Sequence, residues 1–290
     1  MSAAGVRALL QRRSLLARRD LGQNFLHDEA VAERLVTLSG VGPEDAVIEV
    51  GTGLGILTRA LATRAGRVVT LEVDAGLVRL LREEALLPPG VELRHADALE
   101  LDLTALARSL GPRVRLVANL PYSAASPLLR RLLDARDALL DWSVLLQKEV
   151  ADRLLAPPGG PGYGSFAVLH ALLARVEALL VLPPGCFFPP PKVRSCFVRV
   201  TPFAVPVLGP VELPWVEAVV RAAFGQRRKT LLNALLGAPL GTALGDAALR
   251  AGLAAAQLEP RIRAERVGPR EFLELARALA TAPTATAGRA

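Results

Sequence analysis

The 290-residue sequence holds only two cysteines, Cys186 and Cys196. They are too few for a disulfide framework or a four-cysteine zinc site, which fits a reducing compartment such as the cytoplasm. Three histidines, His27, His95 and His170, stand in unrelated contexts with no i, i+4 pair, so no zinc or other metal site is expected. Lysine is equally scarce. Lys148, Lys192 and Lys229 are the whole set among 35 lysines and arginines, so arginine carries nearly all the positive charge. No run of apolar residues is long enough to span a bilayer, and the longest uncharged stretch, 154–174, is interrupted by Pro157, Pro158 and Pro161, which excludes a membrane partner. No internal repeat of fixed period is present, which excludes a solenoid. The 24 glycines and 22 prolines fall in short clusters, and with 51% hydrophobic residues the composition is neither collagen-like nor disordered.

What is present is a globular chain with a net charge of +7, an excess that points to a polyanionic partner, with nucleic acid first. The charge has two foci. Residues 1–19 carry Arg7, Arg12, Arg13, Arg18 and Arg19 without one acid, and the second focus is Arg227, Arg228 and Lys229. The first is expected to be a basic arm that touches RNA through Arg18 and Arg19, and the two foci to flank one RNA site.

From Ala46 short β-rich runs alternate with longer amphipathic ones, the pattern of a parallel sheet covered by helices. Late strands are expected over 178–182 and 195–200, joined by a proline-rich loop over 183–191. Beyond Pro202 the patterns are helical only. The chain therefore divides into an α/β, doubly wound domain over 1–204, a small all-helical domain over 205–280, and a tail over 281–290.

Gly51-Thr52-Gly53-Leu54-Gly55 follows the apolar strand at 47–50 and opens a helix, the place where a doubly wound sheet binds an adenosine-containing ligand. Glu72 ends the next strand about 20 residues after Gly51, where an acid accepts both ribose hydroxyls. Asp97, just past the third strand, can accept from an adenine amine. A dinucleotide fingerprint needs a glycine three positions after the second, and Ile56 stands there instead. The compact loop suits S-adenosylmethionine, which has no pyrophosphate to place at a helix N-terminus.

Asn119-Leu120-Pro121-Tyr122 follows the fourth strand and emerges at the same edge of the sheet. An adenine amine is a poor nucleophile because its lone pair is delocalised into the ring. Two acceptors aimed at its hydrogens, the Asn119 side-chain oxygen and the Leu120 carbonyl, would draw that pair out of conjugation. Pro121 holds the loop, and Tyr122 offers a face on which an extruded base stacks.

Several blocks in order resemble the ribosomal RNA adenine dimethyltransferases, above all their bacterial small-subunit (16S) branch. They are Leu21-Gly-Gln-Asn-Phe-Leu26, Ile48-Glu-Val-Gly-Thr-Gly-Leu-Gly55, Leu71-Glu-Val-Asp74, Asp97-Ala98, Asn119-Leu-Pro-Tyr122, Leu146-Gln-Lys-Glu149, Phe187-Phe-Pro-Pro-Pro-Lys-Val193 and Gln226-Arg-Arg-Lys-Thr230. The resemblance implies a class I, Rossmann-like methyltransferase domain with a helical RNA-binding domain. It implies S-adenosylmethionine contacts at Asn24, Leu26, Gly51, Gly53, Glu72, Asp97 and Asn119. It implies a target-base pocket made by Asn119, Leu120, Pro121 and Tyr122 with Phe187 as the opposite wall. The implied activity is dimethylation of two adjacent adenosines of 16S rRNA in the small ribosomal subunit or its precursor, by a monomer. The related resistance enzyme acting on 23S rRNA and a ribosome-assembly binding factor are the competing functions. Thr52 stands where the family usually has proline, and Ser123-Ala-Ala-Ser126 replaces the usual Asn-Ile-Ser-Thr, with Ser126 expected to cap the next helix.

Overall fold

A computed structural model describes residues 2–13, 15–18, 22–205, 207–209, 212–226 and 228–281. The chain opens with α1 (Ala3–Arg12), a two-residue strand β1 (Phe25–Leu26) and α2 (Glu29–Ser39). The strand–helix alternation follows as β2 (Ala46–Val50), α3 (Ile56–Ala62), β3 (Arg67–Glu72), α4 (Ala75–Glu83), β4 (Glu92–His95) and α5 (Leu103–Leu110). It continues with β5 (Val114–Asn119), α6 (Ala125–Asp134), β6 (Asp141–Gln147), α7 (Lys148–Leu155) and α8 (Ser165–Leu173). After β7 (Ala174–Leu182), β8 (Phe187–Phe188) and β9 (Ser195–Pro202) come α9 (Glu212–Phe224), α10 (Leu231–Leu236), α11 (Pro239–Ala255) and α12 (Pro269–Ala280).

Seven strands form one sheet in the order β4-β3-β2-β5-β6-β9-β7. Strands β4 to β6 run parallel, and β2 is buried at every position, as a strand covered on both faces must be. The expected all-parallel sheet is mixed, because β9 runs antiparallel to β6. β7 and β9 are neighbours joined by the proline-rich loop with no crossover helix, so the last strand enters the sheet from the opposite end. Acidic N-caps start the covering helices: Asp28 accepts from Val31 N, Asp74 from Gly76 N and Leu77 N, and Asp102 from Ala105 N. At the amino edge Asp45 holds Arg113 (2.9 Å) and Arg115 (2.8 Å), and Arg115 also pairs with Asp141, tying together the starts of β2, β5 and β6.

The acid-free start is not a loose arm. Ser2 caps α1 by accepting from Gly5 N, and Val6, Leu9 and Leu10, on one helical face, pack with Phe25, Leu54, Leu77 and Leu80. Arg7 lies over the Phe188 ring, 5.5 Å from its centroid.

The chain resolves into two compact units, 1–151 with 176–202 and 152–175 with 203–290. The second therefore takes in residues 152–175, which the strand pattern had placed with the sheet. Its α8 is apolar on nearly every face, and Tyr163 is buried within the same unit, donating its hydroxyl to the Val267 carbonyl (2.8 Å) and meeting Phe224 edge-on. Helices α9 to α12 complete this unit. A Cβ at Gly252 of α11 would stand 2.4 Å from Leu279 Cδ2 of α12, so a side chain there would have to displace that leucine.

Candidate active site

The strand order reverses direction between β2 and β5, and the crevice at such a switch point, beyond the carboxyl ends of the strands, is where open α/β sheets bind ligands. A cavity of about 360 Å³ lies there. The loop after β2 forms one wall with Gly51 at φ +81° and Gly53 at φ +57°, backbone that a side chain strains to adopt. A Cβ at Gly53 would press on Phe25 Cδ1 at 3.2 Å, so the glycine lets the Phe25 ring lie close against the loop.

Glu72, at the end of β3, is oriented by two backbone donors: Gly53 N to Oε2 (2.9 Å) and Asp74 N to Oε1 (3.0 Å). Burial pushes its carboxyl above the usual range, and those N–H groups only partly offset the effect. Asp97 accepts from Leu99 N through Oδ1 (2.8 Å) and lines the same cavity. At the end of β5, Asn119 Nδ2 donates to the Asn24 carbonyl (3.1 Å), and Asn24 Nδ2 donates to the Gly22 carbonyl (3.1 Å). The donor end of the Asn119 amide is thereby occupied, and Oδ1 is left as an acceptor. Gly22 has φ +64°, and a Cβ there would lie 3.3 Å from Tyr122 N. Tyr122 hydrogen-bonds through its hydroxyl to Ser195 Oγ (3.0 Å).

Beneath the glycine loop lies a fully buried polar chain. Glu49 Oε2 accepts from Thr58 Oγ1 (2.6 Å) and Thr70 Oγ1 (2.7 Å), and Thr70 Oγ1 also meets Thr52 Oγ1 (2.6 Å). No hydrogen-bond partner reaches Glu49 Oε1 among the described residues. Burial, with the charge of Glu72 adding to it, raises the Glu49 carboxyl to about 8. Thr52 thus contributes a hydroxyl that ties the loop to this chain.

Of the residues expected from the sequence, Asn24, Gly51, Gly53, Glu72, Asp97, Asn119, Leu120, Pro121 and Tyr122 all line the cavity. Leu26 and Phe187 do not. They face each other across the β1–β8 pair and are 5% and 2% exposed, inside a core cluster with Leu35, Val117 and Phe197. Successive residues of a strand point to opposite faces, so it is Phe25 that reaches the cavity while Leu26 turns into the core. Phe25, Gln23 and Ser123 were missed; the alternation across Phe25-Leu26 was the available signal for the first. Ser126 does not cap α6, which starts one residue earlier and has no side-chain cap. Arg18 is exposed in the first unit, Arg228 and Lys229 are exposed in the second, and Arg19 and Arg227 lie outside the described residues. Among the described residues no group of acids, histidines and cysteines is arranged to hold a metal, and no helix is long and apolar enough to cross a membrane.

The family model described as ribosomal RNA adenine dimethylase matches residues 14–251. A protein of Hahella chejuensis named ribosomal RNA small subunit methyltransferase A is 40% identical over 260 residues, 90% of this chain and 92% of its own length. One of the same name from Magnetococcus marinus is 43% identical over 230 residues, covering 79% and 82%. Among solved structures, a dimethyladenosine transferase from Plasmodium falciparum superposes with a TM-score of 0.71 at 22% identity, covering 87% of this chain and 95% of its own. The 23S rRNA methyltransferase ErmE gives 0.66 at 27%, covering 89% and 100%. The fold is thus the Rossmann-like one of methyltransferases, and with a match running through the glycine loop, Glu72, Asp97 and the Asn119 segment alike, the chain belongs to the ribosomal RNA adenine dimethylase family.

Proposed function

We propose that this protein dimethylates the N6 amines of two adjacent adenosines of 16S rRNA, in the small ribosomal subunit or its precursor, as a step of ribosome biogenesis. It would act as a cytoplasmic monomer and use S-adenosylmethionine. The observation that carries this reading is one cavity with carboxylates suited to a nucleoside, Glu72 and Asp97, and acceptors suited to an amine, Asn119 and the Leu120 carbonyl. Bound there, S-adenosylmethionine supplies an electrophilic methyl on a sulfonium. Glu72 is already aimed by two N–H groups and has lone pairs left for ribose hydroxyls. The positive-φ glycines let the loop approach the ligand without a Cβ in the way.

Asn119 Oδ1 and the Leu120 carbonyl accept the two amine hydrogens and draw the lone pair toward tetrahedral geometry. The nitrogen lone pair would thereby be turned toward the methyl that S-adenosylmethionine would supply, and the amine proton displaced on methylation would pass to water. Tyr122 supplies the stacking face. Arg18, Arg19, Arg227, Arg228 and Lys229 meet RNA phosphates, and the helical region over 205–280 is the RNA-binding part. The small subunit is favoured over 23S rRNA because the relatives at 40% and 43% identity carry the small-subunit name, whereas ErmE shares 27%.

The test offers tritiated S-adenosylmethionine with immature 30S particles, 50S particles and naked rRNA in parallel, followed by nucleoside mass spectrometry. N6,N6-dimethyladenosine confined to 16S rRNA is expected; label in 23S rRNA, or none, refutes the reading.

A further inference from the structure

Ser195 stands 73 residues from Tyr122 in sequence, yet its Oγ meets the Tyr122 hydroxyl at 3.0 Å. It is 1% exposed and opens β9, where it faces Gln147 of β6 in the antiparallel register. Just outside that pair, Lys148 N donates to the Arg194 carbonyl (2.9 Å), so the backbone on both sides of Ser195 is pinned to the sheet. The other end of the tyrosine is confined as well. Its amide lies against Gly22, whose positive φ and missing Cβ allow the N-terminal segment to close on it, and Ala124 N donates to the Pro121 carbonyl (3.0 Å) to fix the turn.

Resting on the proposed base pocket, we infer that Ser195 is a positioning residue: through its bond to the Tyr122 hydroxyl it holds in place the far end of the ring on which the target adenine stacks. The aromatic ring is held at both its backbone and its hydroxyl, so the stacking face is formed before RNA arrives and little rotamer freedom is lost on binding. Burial also pushes the Tyr122 phenol up, with the Ser195 bond acting against it, so a neutral hydroxyl is present to share the bond.

The two methyl transfers depend on this tether unequally. An unmodified amine offers two hydrogens to Asn119 and Leu120. After one methylation it offers one, so a larger share of the hold on the base falls to the Tyr122 ring. Loosening that ring therefore slows the second transfer more than the first, and N6-monomethyladenosine accumulates.

Single-turnover methylation of 30S particles, with both products quantified by mass spectrometry, tests this in Ser195→Ala, Tyr122→Phe and the double variant. Each single change should raise the mono- to dimethyl ratio by roughly threefold to tenfold, the span of one neutral hydrogen bond. If Ser195 only satisfied a buried hydroxyl, removing both partners would restore the wild-type ratio, because no polar group is then left unpaired. Under the inference the double variant regains thermal stability but keeps the raised ratio. A wild-type ratio in Ser195→Ala, or its return in the double variant, overturns the inference. Tyr122→Phe keeps the ring and reports on the tether even if Ser195→Ala folds poorly. Dimethyladenosine made normally by the wild type and lost in Tyr122→Ala, beside an unchanged Ser195→Ala, would leave the base pocket standing and remove only the tether. A wild type that makes no dimethyladenosine removes both.

Discussion

Asn119 has its donor end spent on the Asn24 carbonyl, and this makes it the side chain whose loss should be felt most in turnover. Its oxygen gains strength as an acceptor only when the amine becomes tetrahedral, so Asn119→Ala should lower kcat by about 10²–10³ while changing RNA affinity little. Single-turnover rates beside filter binding would separate the two effects, and a wild-type rate would reduce the tetrapeptide to a turn. For Glu72, calorimetry should find S-adenosylmethionine bound by the wild type and weakened by about 1.5–3 kcal/mol in Glu72→Ala, the range for a hydrogen bond to a charged group. Because burial raises its carboxyl, affinity should also begin to fall at a higher pH on acidification than an ordinary glutamate would give, as the protonated form loses acceptors. Glu49 acts on stability instead. Its carboxyl holds a proton up to about 8, whereas the unfolded chain releases it near 4.5. Between those values the folded state binds the extra proton, so raising the pH favours unfolding, by at most about 1.4 kcal/mol per pH unit. In Glu49→Gln, urea midpoints measured from pH 5 to 8 should lose that slope.

Among the elements, α1 is the one whose role reverses its sequence impression: five arginines mark residues 1–19, yet three aliphatic side chains decide where the helix goes. Leu9 is 5% exposed against Phe25 and Leu77, and Leu9→Ala should cost about 2–5 kcal/mol by urea denaturation. Since Phe25 also lines the cavity, the same variant should bind S-adenosylmethionine more weakly; an unchanged affinity would mean that the helix is anchored independently of the site. The segment between α9 and α10 is exposed at Arg228 and Lys229. Neutralising these two with Arg227 should flatten the dependence of log affinity on log salt by roughly 2–3 units if each meets a phosphate. An unchanged slope would make the segment an ordinary solvated surface.

In the whole molecule, two compact units are assembled from a chain that leaves the sheet after β6, contributes 152–175 to the helical unit, and returns as β7. Strands β2 to β6 and the helices between them except α5 could be read locally, because each covered parallel strand is a short apolar run bounded by turn residues and those helices have an amphipathic period of their own. For the same reason the gathering of the candidate residues in one cavity was legible: Gly51, Glu72, Asp97 and Asn119 each end or closely follow a strand, and in a parallel sheet the ends of all strands meet at one edge. What the amino-acid sequence by itself determined is therefore the parallel part of the sheet, the edge where the cavity opens and the residue types gathered there. Only the tertiary structure decided that Phe25 and not Leu26 reaches the cavity, that Phe187 lies in the core, that α1 packs, and that antiparallel β9 carries Ser195 to Tyr122. These outcomes depend on partners distant in sequence, such as Leu26 with Phe187 or Leu9 in one core cluster with Leu77, and packing of that kind is selected by topology after the local pattern has already been satisfied.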